Sequence, residues 1–298
     1  MRRVTIRWLQ RIAALAIASI LIGLGFSLYA GHQLVAPALR TIGEPPENLE
    51  AKTVHFTSES GSTIAGWLTE QPNAVGSVLL LHAVRADRRS MVGRARFLGA
   101  AGYSTLCIDL QAHGESPGQH ITMGYLEAMD AAAAVAFLRE RFPNRLVAVL
   151  GTSLGGAAAL MAKYDSPPDA LIVESVFADV ETAIRNRMRM RFGGTAPLLA
   201  PLLICQIEPR LGIGPDRLRP VHAIANVRCP IFILCGSTDQ HATPAESQAL
   251  FSAASEPREF WQVIGAAHVD LHRFAGHEYE RRIIEFLARL NRAQSRPQ

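Results

Sequence analysis

An apolar run, Val147-Ala148-Val149-Leu150, ends at Gly151-Thr152-Ser153-Leu154-Gly155-Gly156, and an alanine-rich, helix-forming run follows at once. The pattern Gly151-x-Ser153-x-Gly155 between a buried strand (Arg145–Leu150) and a helix (Leu154–Lys163) is that of a nucleophile elbow. The serine sits on a strained strand-to-helix turn, and the glycines remove side chains that would clash in so tight a bend. The helix start also offers free N–H groups and a partial positive charge beside Ser153.

The other apolar runs continue the alternation. Strands are expected at Thr53–Thr57, Thr63–Leu68, Ser77–Leu81, Ser104–Leu110, Ala170–Val173, Ile231–Cys235 and Glu259–Ile264. Helices are expected at about Ser90–Ala101, Thr122–Arg141, Pro244–Ala254 and Tyr279–Leu290, the second with Leu126, Met129, Ala133 and Phe137 on one stripe. Such alternation predicts an α/β architecture: a mostly parallel eight-stranded sheet with helices on both faces, its first two strands able to form an antiparallel hairpin. A chain of 298 residues, 49% hydrophobic and 19% charged, can fill that core. Residues 177–224 break the alternation and read as a small inserted cap within a domain spanning 51–292; residues 293–298 read as a disordered tail. In the cap, Val180, Ile184 and Met188 share a helical face, and Glu181 lies four residues before Arg185. Phe192–Ile207 is uncharged but broken by Pro197 and Pro201.

Residues 1–11 carry Arg2, Arg3, Arg7 and Arg11, a basic flank before the uncharged run Ile12–Ala30. As a helix that run is about 28 Å long, close to the roughly 30 Å hydrocarbon core of a bilayer. Trp8 and Tyr29 stand near its ends, where amphipathic rings favour the interface. A single transmembrane anchor is favoured over a cleaved signal, because cleavage after Ala30 would put Leu28 where a small residue is wanted. Ala36-Pro37-Ala38 has the small residues but lies far from the apolar run. Either way the basic flank stays cytoplasmic and the remainder is exported, tethered in the first case and secreted in the second. Residues 31–50 read as a linker.

The net charge of +4 is small and no basic patch is interleaved with aromatics, so nucleic-acid binding is not expected. No C-x-x-C or H-E-x-x-H spacing points to a metal site. Cys229 and Cys235 flank one strand, about 20 Å apart if extended, whereas a disulfide needs Cα atoms within about 7 Å; free, buried thiols are expected. No pattern specifies an oligomeric state.

A serine hydroxyl needs a histidine to take its proton and a carboxylate to orient that histidine. After an elbow serine the order is acid, then histidine. Asp239, in Gly236-Ser237-Thr238-Asp239, follows one buried strand, and His268, in Gly265-Ala266-Ala267-His268, follows the last. Both fall at the carboxyl ends of parallel strands, the same edge as Ser153. Glu174 is the alternative acid and His272 the alternative base. Two N–H donors must meet the tetrahedral intermediate: Leu154 is one, and Val84, or else Ala83, in the loop after the third strand is the other. His82 and His113 are expected to brace their loops.

Together His82-Ala83, Asp109-x-x-x-His113-Gly114-x-Ser116-x-Gly118, Gly151-Thr152-Ser153-Leu154-Gly155-Gly156, Gly236-Ser237-Thr238-Asp239 and Gly265-x-x-His268 resemble the α/β-hydrolase superfamily, most nearly its serine aminopeptidase S33-type and BEM46-like serine hydrolases. The resemblance covers about residues 50–292. It implies a serine hydrolase, without cofactor, that cleaves an ester, thioester or amide through an acyl-enzyme. A departure is Ala83, where the family usually has glycine; it leaves a non-catalytic, membrane-tethered binding protein as the rival reading. The apolar stretch of the cap, with Leu198, Leu199, Leu202 and Leu203, is expected to contact a small-molecule or lipid-like acyl substrate.

Overall fold

The computed structural model describes residues 2–294; Ser295–Gln298 of the expected tail lie outside the described residues. The chain begins with a 34-residue helix, α1 (Arg2–Val35), then a two-residue strand β1 (Ala38–Leu39). The hairpin β2 (Ala51–Thr57) and β3 (Thr63–Thr69) precedes β4 (Gly76–Leu81), α2 (Val92–Ala100), β5 (Tyr103–Ile108) and the short β6 (His113–Gly114). Next come α3 (Tyr125–Arg141), β7 (Leu146–Thr152), α4 (Leu154–Met161) and β8 (Ala170–Glu174). The cap holds α5 (Val180–Phe192), α6 (Ala196–Ile204), α7 (Ile207–Leu211) and α8 (Pro220–Ala223). The chain closes with β9 (Ile231–Gly236), α9 (Pro244–Ala253), β10 (Arg258–Val263), α10 (Leu271–Ala275) and α11 (His277–Gln294).

The main sheet has the order β10-β9-β8-β7-β4-β5-β3-β2. All neighbours from β10 to β5 are parallel, and only β3 pairs antiparallel, with β2 and with β5. This is the expected eight-stranded α/β sheet. The order reverses where β4 lies between β5 and β7, and the loops after β4 and β7 therefore diverge around a crevice at the carboxyl edge. Continuous apolar strands such as Val78-Leu79-Leu80-Leu81 are fully buried because helices cover both faces. Leu98, Ile283, Phe286 and Leu287 fill one side, and Ala131, Leu138, Leu154 and Leu160 the other.

The structure corrects several expectations. In α3 the buried apolar residues are Ala128, Ala131, Ala134, Val135 and Leu138, while Leu126, Met129, Ala133 and Phe137 are only partly covered. Alanines let α3 approach the alanine face of α4 closely, so the bulky side chains are left to its flanks. The first helix covers the basic flank and continues five residues into the expected linker, which then pairs through β1 with β6. Ala293 and Gln294 end α11 and are not part of a tail. All four cysteines are free; Cys107 and Cys235 are buried, Cys229 only partly so, and Cys205 is exposed.

A buried ionic lock joins the sheet to α2, α10 and α11. Glu174 at the end of β8 accepts from Arg94 Nη2 at 2.8 Å, from Thr152 Oγ1 at 3.1 Å, and from the Tyr279 hydroxyl. Arg94 also reaches Asp270 at 2.8 Å and lies over the Tyr279 ring. Removing one charge strands the other away from water. Glu174→Gln should therefore lose about 3 kcal/mol or more of stability, roughly 6–12 °C in Tm, in a thermal melt of the purified protein. A melt unchanged from wild type would show that the lock contributes nothing.

Candidate active site

The loop leaving β7 turns sharply at Ser153, with φ 51° and ψ −109°, directly before α4. A Cβ on Gly151 would lie 2.5 Å from the Gly155 carbonyl carbon, and one on Gly155 would lie 2.5 Å from the Leu81 carbonyl oxygen. Only bare backbone permits that approach, which explains the spacing of the two glycines. The turn is held on both sides: the Ser153 N–H donates to Glu174 O at 2.7 Å, and the Gly155 N–H to His82 O at 3.1 Å. The Leu154 N–H is among those at a helix start with no partner inside the helix.

Asp239 and His268 come together. Asp239 Oδ2 lies 2.7 Å from His268 Nδ1, and the other carboxylate oxygen accepts the N–H groups of His241 (2.8 Å) and Ala242 (3.0 Å). Burial alone would raise the Asp239 carboxyl, but the His268 bond, the His268 charge and the two backbone donors outweigh it and hold the group below its usual value. A carboxylate only accepts, so His268 Nδ1 is the donor to Asp239, and Nε2 is the nitrogen that carries the lone pair whenever the ring is neutral. His268 is about a quarter exposed, with the His241 ring 5.0 Å away. Gly236 is bare for the same reason as Gly155: a Cβ there would sit 2.4 Å from Ala266 O.

The alternatives are used elsewhere. Glu174 is enclosed in the lock with Arg94 and Tyr279. His272 is bound to Glu280 at 2.9 Å and packs on Phe97 and Tyr279. Neither meets Asp239 or His268.

The loop after β4 is braced by two buried histidines. His82 Nδ1 donates to Ala83 O at 2.8 Å, and His82 Nε2 accepts from the Leu110 N–H at 3.1 Å. His113 Nε2 accepts from the Arg85 N–H at 3.0 Å while its Nδ1 donates to Gln111 O at 2.9 Å. His113 thus holds the β4 loop as well as its own. Burial and the neighbouring His113 push His82 down to about 3. Within that loop Val84 lines the chamber over Ser153 and Ala83 does not. Below the loop, Arg88 bridges Asp109 and Glu115 in a buried cluster, and Asp109 sits so close to Gly114 (φ 49°) that a Cβ would meet it at 2.2 Å.

Ser153 and Leu154 open into a chamber of about 180 Å³ lined by Val84, Val180, Ile184, Leu203 and Leu218. A second apolar chamber, about 900 Å³, adjoins it and includes Leu199 and Leu202. Of the four cap leucines expected to contact substrate, Leu203 lines both chambers and Leu198 lines neither. Leu198 lies about 100° round α6 from Leu199 and is 78% exposed. Sequence reasoning missed the wall that α1 supplies, Gly31, Gln33, Leu34 and Val35, and missed Arg85 and Arg187. No local pattern marks them, because they reach the chamber through a two-residue strand pairing and through the cap.

His82 generates a test. Its folded value lies below that of a free imidazole, so between about pH 6.5 and 3 the unfolded chain binds a proton that the folded chain refuses. Stability contributed by this position is present above that window and is lost as pH falls through it. Relative to His82→Gln, the wild type should lose up to about 1.4 kcal/mol per pH unit across the window in denaturant titrations. Parallel pH profiles would mean that His82 is protonated in the fold.

A family model described as serine aminopeptidase, S33, matches residues 72–206, which include β4, β7, the Ser153 turn and the first half of the cap. An uncharacterized protein, YqkD, from Bacillus subtilis is 21% identical over 249 residues, 82% of each chain. An uncharacterized protein, Rv2307c, from Mycobacterium tuberculosis is 28% identical over 226 residues, 74% of this chain and 73% of its own. Among solved structures, a Pyrococcus furiosus esterase superposes with TM-score 0.69 at 23% identity, over 85% of this chain and 98% of that one. The esterase domain of a Rhodothermus marinus protein superposes with TM-score 0.56 at 21% identity, over 81% and 98% of the two chains. The sheet order, the turn at Ser153 and the match through it agree: the chain has the α/β-hydrolase fold, and its residues 72–206 are similar to the serine aminopeptidase S33 family.

Proposed function

We propose that the protein is a membrane-tethered serine hydrolase that cleaves an apolar acyl ester, thioester or amide through an acyl-enzyme. The observation that carries this reading is the elbow conformation of Ser153, which opens on an apolar chamber at the sheet edge that also holds the Asp239–His268 pair. Ser153 Oγ attacks the acyl carbonyl and passes its proton to His268 Nε2. Asp239 keeps His268 in the required tautomer and stabilises the imidazolium that forms. The negative oxygen of the tetrahedral intermediate is met by the N–H groups of Leu154 and Val84. When the intermediate collapses, His268 returns the proton to the leaving group; water then repeats the sequence and frees the acid. No cofactor takes part. The apolar lining favours an acyl group over a charged one, with each buried methylene contributing about 0.8 kcal/mol.

Fluorophosphonate labelling and p-nitrophenyl butyrate turnover test the assignment. The wild type should label at Ser153. Ser153→Ala should lose label and more than about a thousandfold in kcat, while Asp239→Asn should lose several thousandfold with little change in Tm. An unlabelled wild type, as a non-catalytic binding protein would be, or wild-type turnover by Ser153→Ala would overturn the proposal.

The anchor reading belongs to the same proposal. The window within Arg7–Val35 has mean hydropathy 2.2 and is 6% buried, so the rest of the fold does not cover it. Four arginines precede the uncharged run Ile12–Ala30 and only Arg40 closely follows it, which favours a cytoplasmic N-terminus and an exported domain. A periplasm-active reporter fused after Gln298 should be active, and extraction should need detergent. An inactive reporter would invert the topology, and a shortened soluble product would mean a cleaved signal.

A further inference from the structure

The helix that would anchor the chain is also a wall of the site. Gly31, Gln33, Leu34 and Val35 line the chamber over Ser153. The second chamber continues from there back along α1, past Ala30, Ser27 and Phe26 to Gly23, with Leu199, Leu202 and Phe192 of the cap opposite. Gln33, Leu34, Ile184, Arg187 and Leu203 line both chambers. A passage from Gly23 to Leu34 runs about 17 Å along the helix axis.

Hydrogen bonds fasten one side of this seam. Ser27 Oγ donates to Leu202 O at 3.2 Å, Gln206 Nε2 donates to Ser27 Oγ at 3.0 Å, and Arg210 Nη2 donates to Leu28 O at 2.7 Å. Gly31 allows the approach, since a Cβ there would lie 2.3 Å from Gln206 Oε1. The outer rim is the opposite in character: Phe26 is 61%, Leu202 41% and Phe192 38% exposed. The most apolar window within Val180–Leu211 has mean hydropathy 1.2, yet only 22% of it is buried. Large exposed apolar surface is costly in water and costs nothing in hydrocarbon. Gly23, Phe26, Ser27, Tyr29 and Ala30 all fall within Ile12–Ala30, so the mouth of the passage opens at the level of the bilayer.

We infer that the protein takes its substrate sideways from the membrane its own helix spans: the acyl ester of a membrane lipid slides between α1 and the cap until its carbonyl reaches Ser153. This rests on the serine hydrolase reading. The acyl–oxygen bond breaks, water supplies the second hydroxyl, and the products are a fatty acid and the lipid alcohol. Arg187, the charge shared by both chambers, stands at their junction, with burial holding its guanidinium below the usual value.

The test uses the full chain reconstituted in phosphatidylcholine vesicles. Dioleoylglycerol is placed either in the same bilayer as the protein or in separate protein-free vesicles mixed in, and oleate release is followed. Release should be at least tenfold faster from the shared bilayer. Ala30→Trp, which fills the passage, should reduce that release at least tenfold while fluorophosphonate still labels Ser153; Met188→Trp fills it from the cap side if Ala30→Trp does not fold. Equal release from both vesicle populations, release from neither, or wild-type release by a labelled, passage-filling variant overturns the inference. A wild type that does not label strikes instead at the hydrolase reading itself, so the two failures are distinguishable.

Discussion

The approach of α4 to the end of β7 governs everything else at the carboxyl edge. With no side chain at Gly151 or Gly155, the helix start can lie against the backbone of β4 and β7, and the residue between is forced to positive φ. Such a conformation persists only where surrounding structure over-determines it. Here the surroundings are backbone bonds: Ser153 N–H to the last residue of β8, and Gly155 N–H to the first residue after β4. The side chain of that same β8 residue, Glu174, is fixed in turn by Arg94 and Tyr279. A buried ion pair remote from the chemistry thus supports the strained turn through one residue's backbone.

The loop after β4 is the second constrained part, and it couples the site to α1. His113 receives the Arg85 N–H, and the Arg85 guanidinium donates to Gln33 O at 2.8 Å and Ala36 O at 3.2 Å, the open carbonyls at the end of α1. A cation there also meets the negative end of the helix dipole. The pairing of β1 with β6, the Ile121 N–H bond to Val35 O at 2.8 Å, and the Arg40–Asp87 ion pair at 3.0 Å add to the fastening. One loop therefore carries Val84 toward the chamber over Ser153 and Arg85 toward the end of α1. The last turns of α1 belong to the folded domain as much as to the apolar helix that precedes them.

Much of this was legible beforehand because it is local. Fully apolar strands separated by helices allow few sheets, and the β4 and β7 boundaries fell within two residues of expectation. The elbow declared itself through Gly151, Ser153 and Gly155, whose spacing is a steric requirement of the bend. Asp239 and His268 could be named because each follows a strand at one common edge, and the structure brings their side chains together. The α3 stripe was misread because periodicity weighs side chains by size, whereas the packing against α4 selected the smallest ones. Leu198 was misplaced because an uncharged run does not reveal its own rotation about the helix axis.

By itself, then, the amino-acid order determined the strand-and-helix alternation, the strained serine and the parallel edge on which Asp239 and His268 would stand. These follow from periodicity and close steric limits within a few residues. Tertiary structure alone decided that Glu174 is a structural anion rather than a partner for histidine, that His113 reaches across to the β4 loop, and that α1 walls the chamber over Ser153. Each depends on contacts between residues about 30 to 180 positions apart, and such contacts leave no periodic trace in the chain.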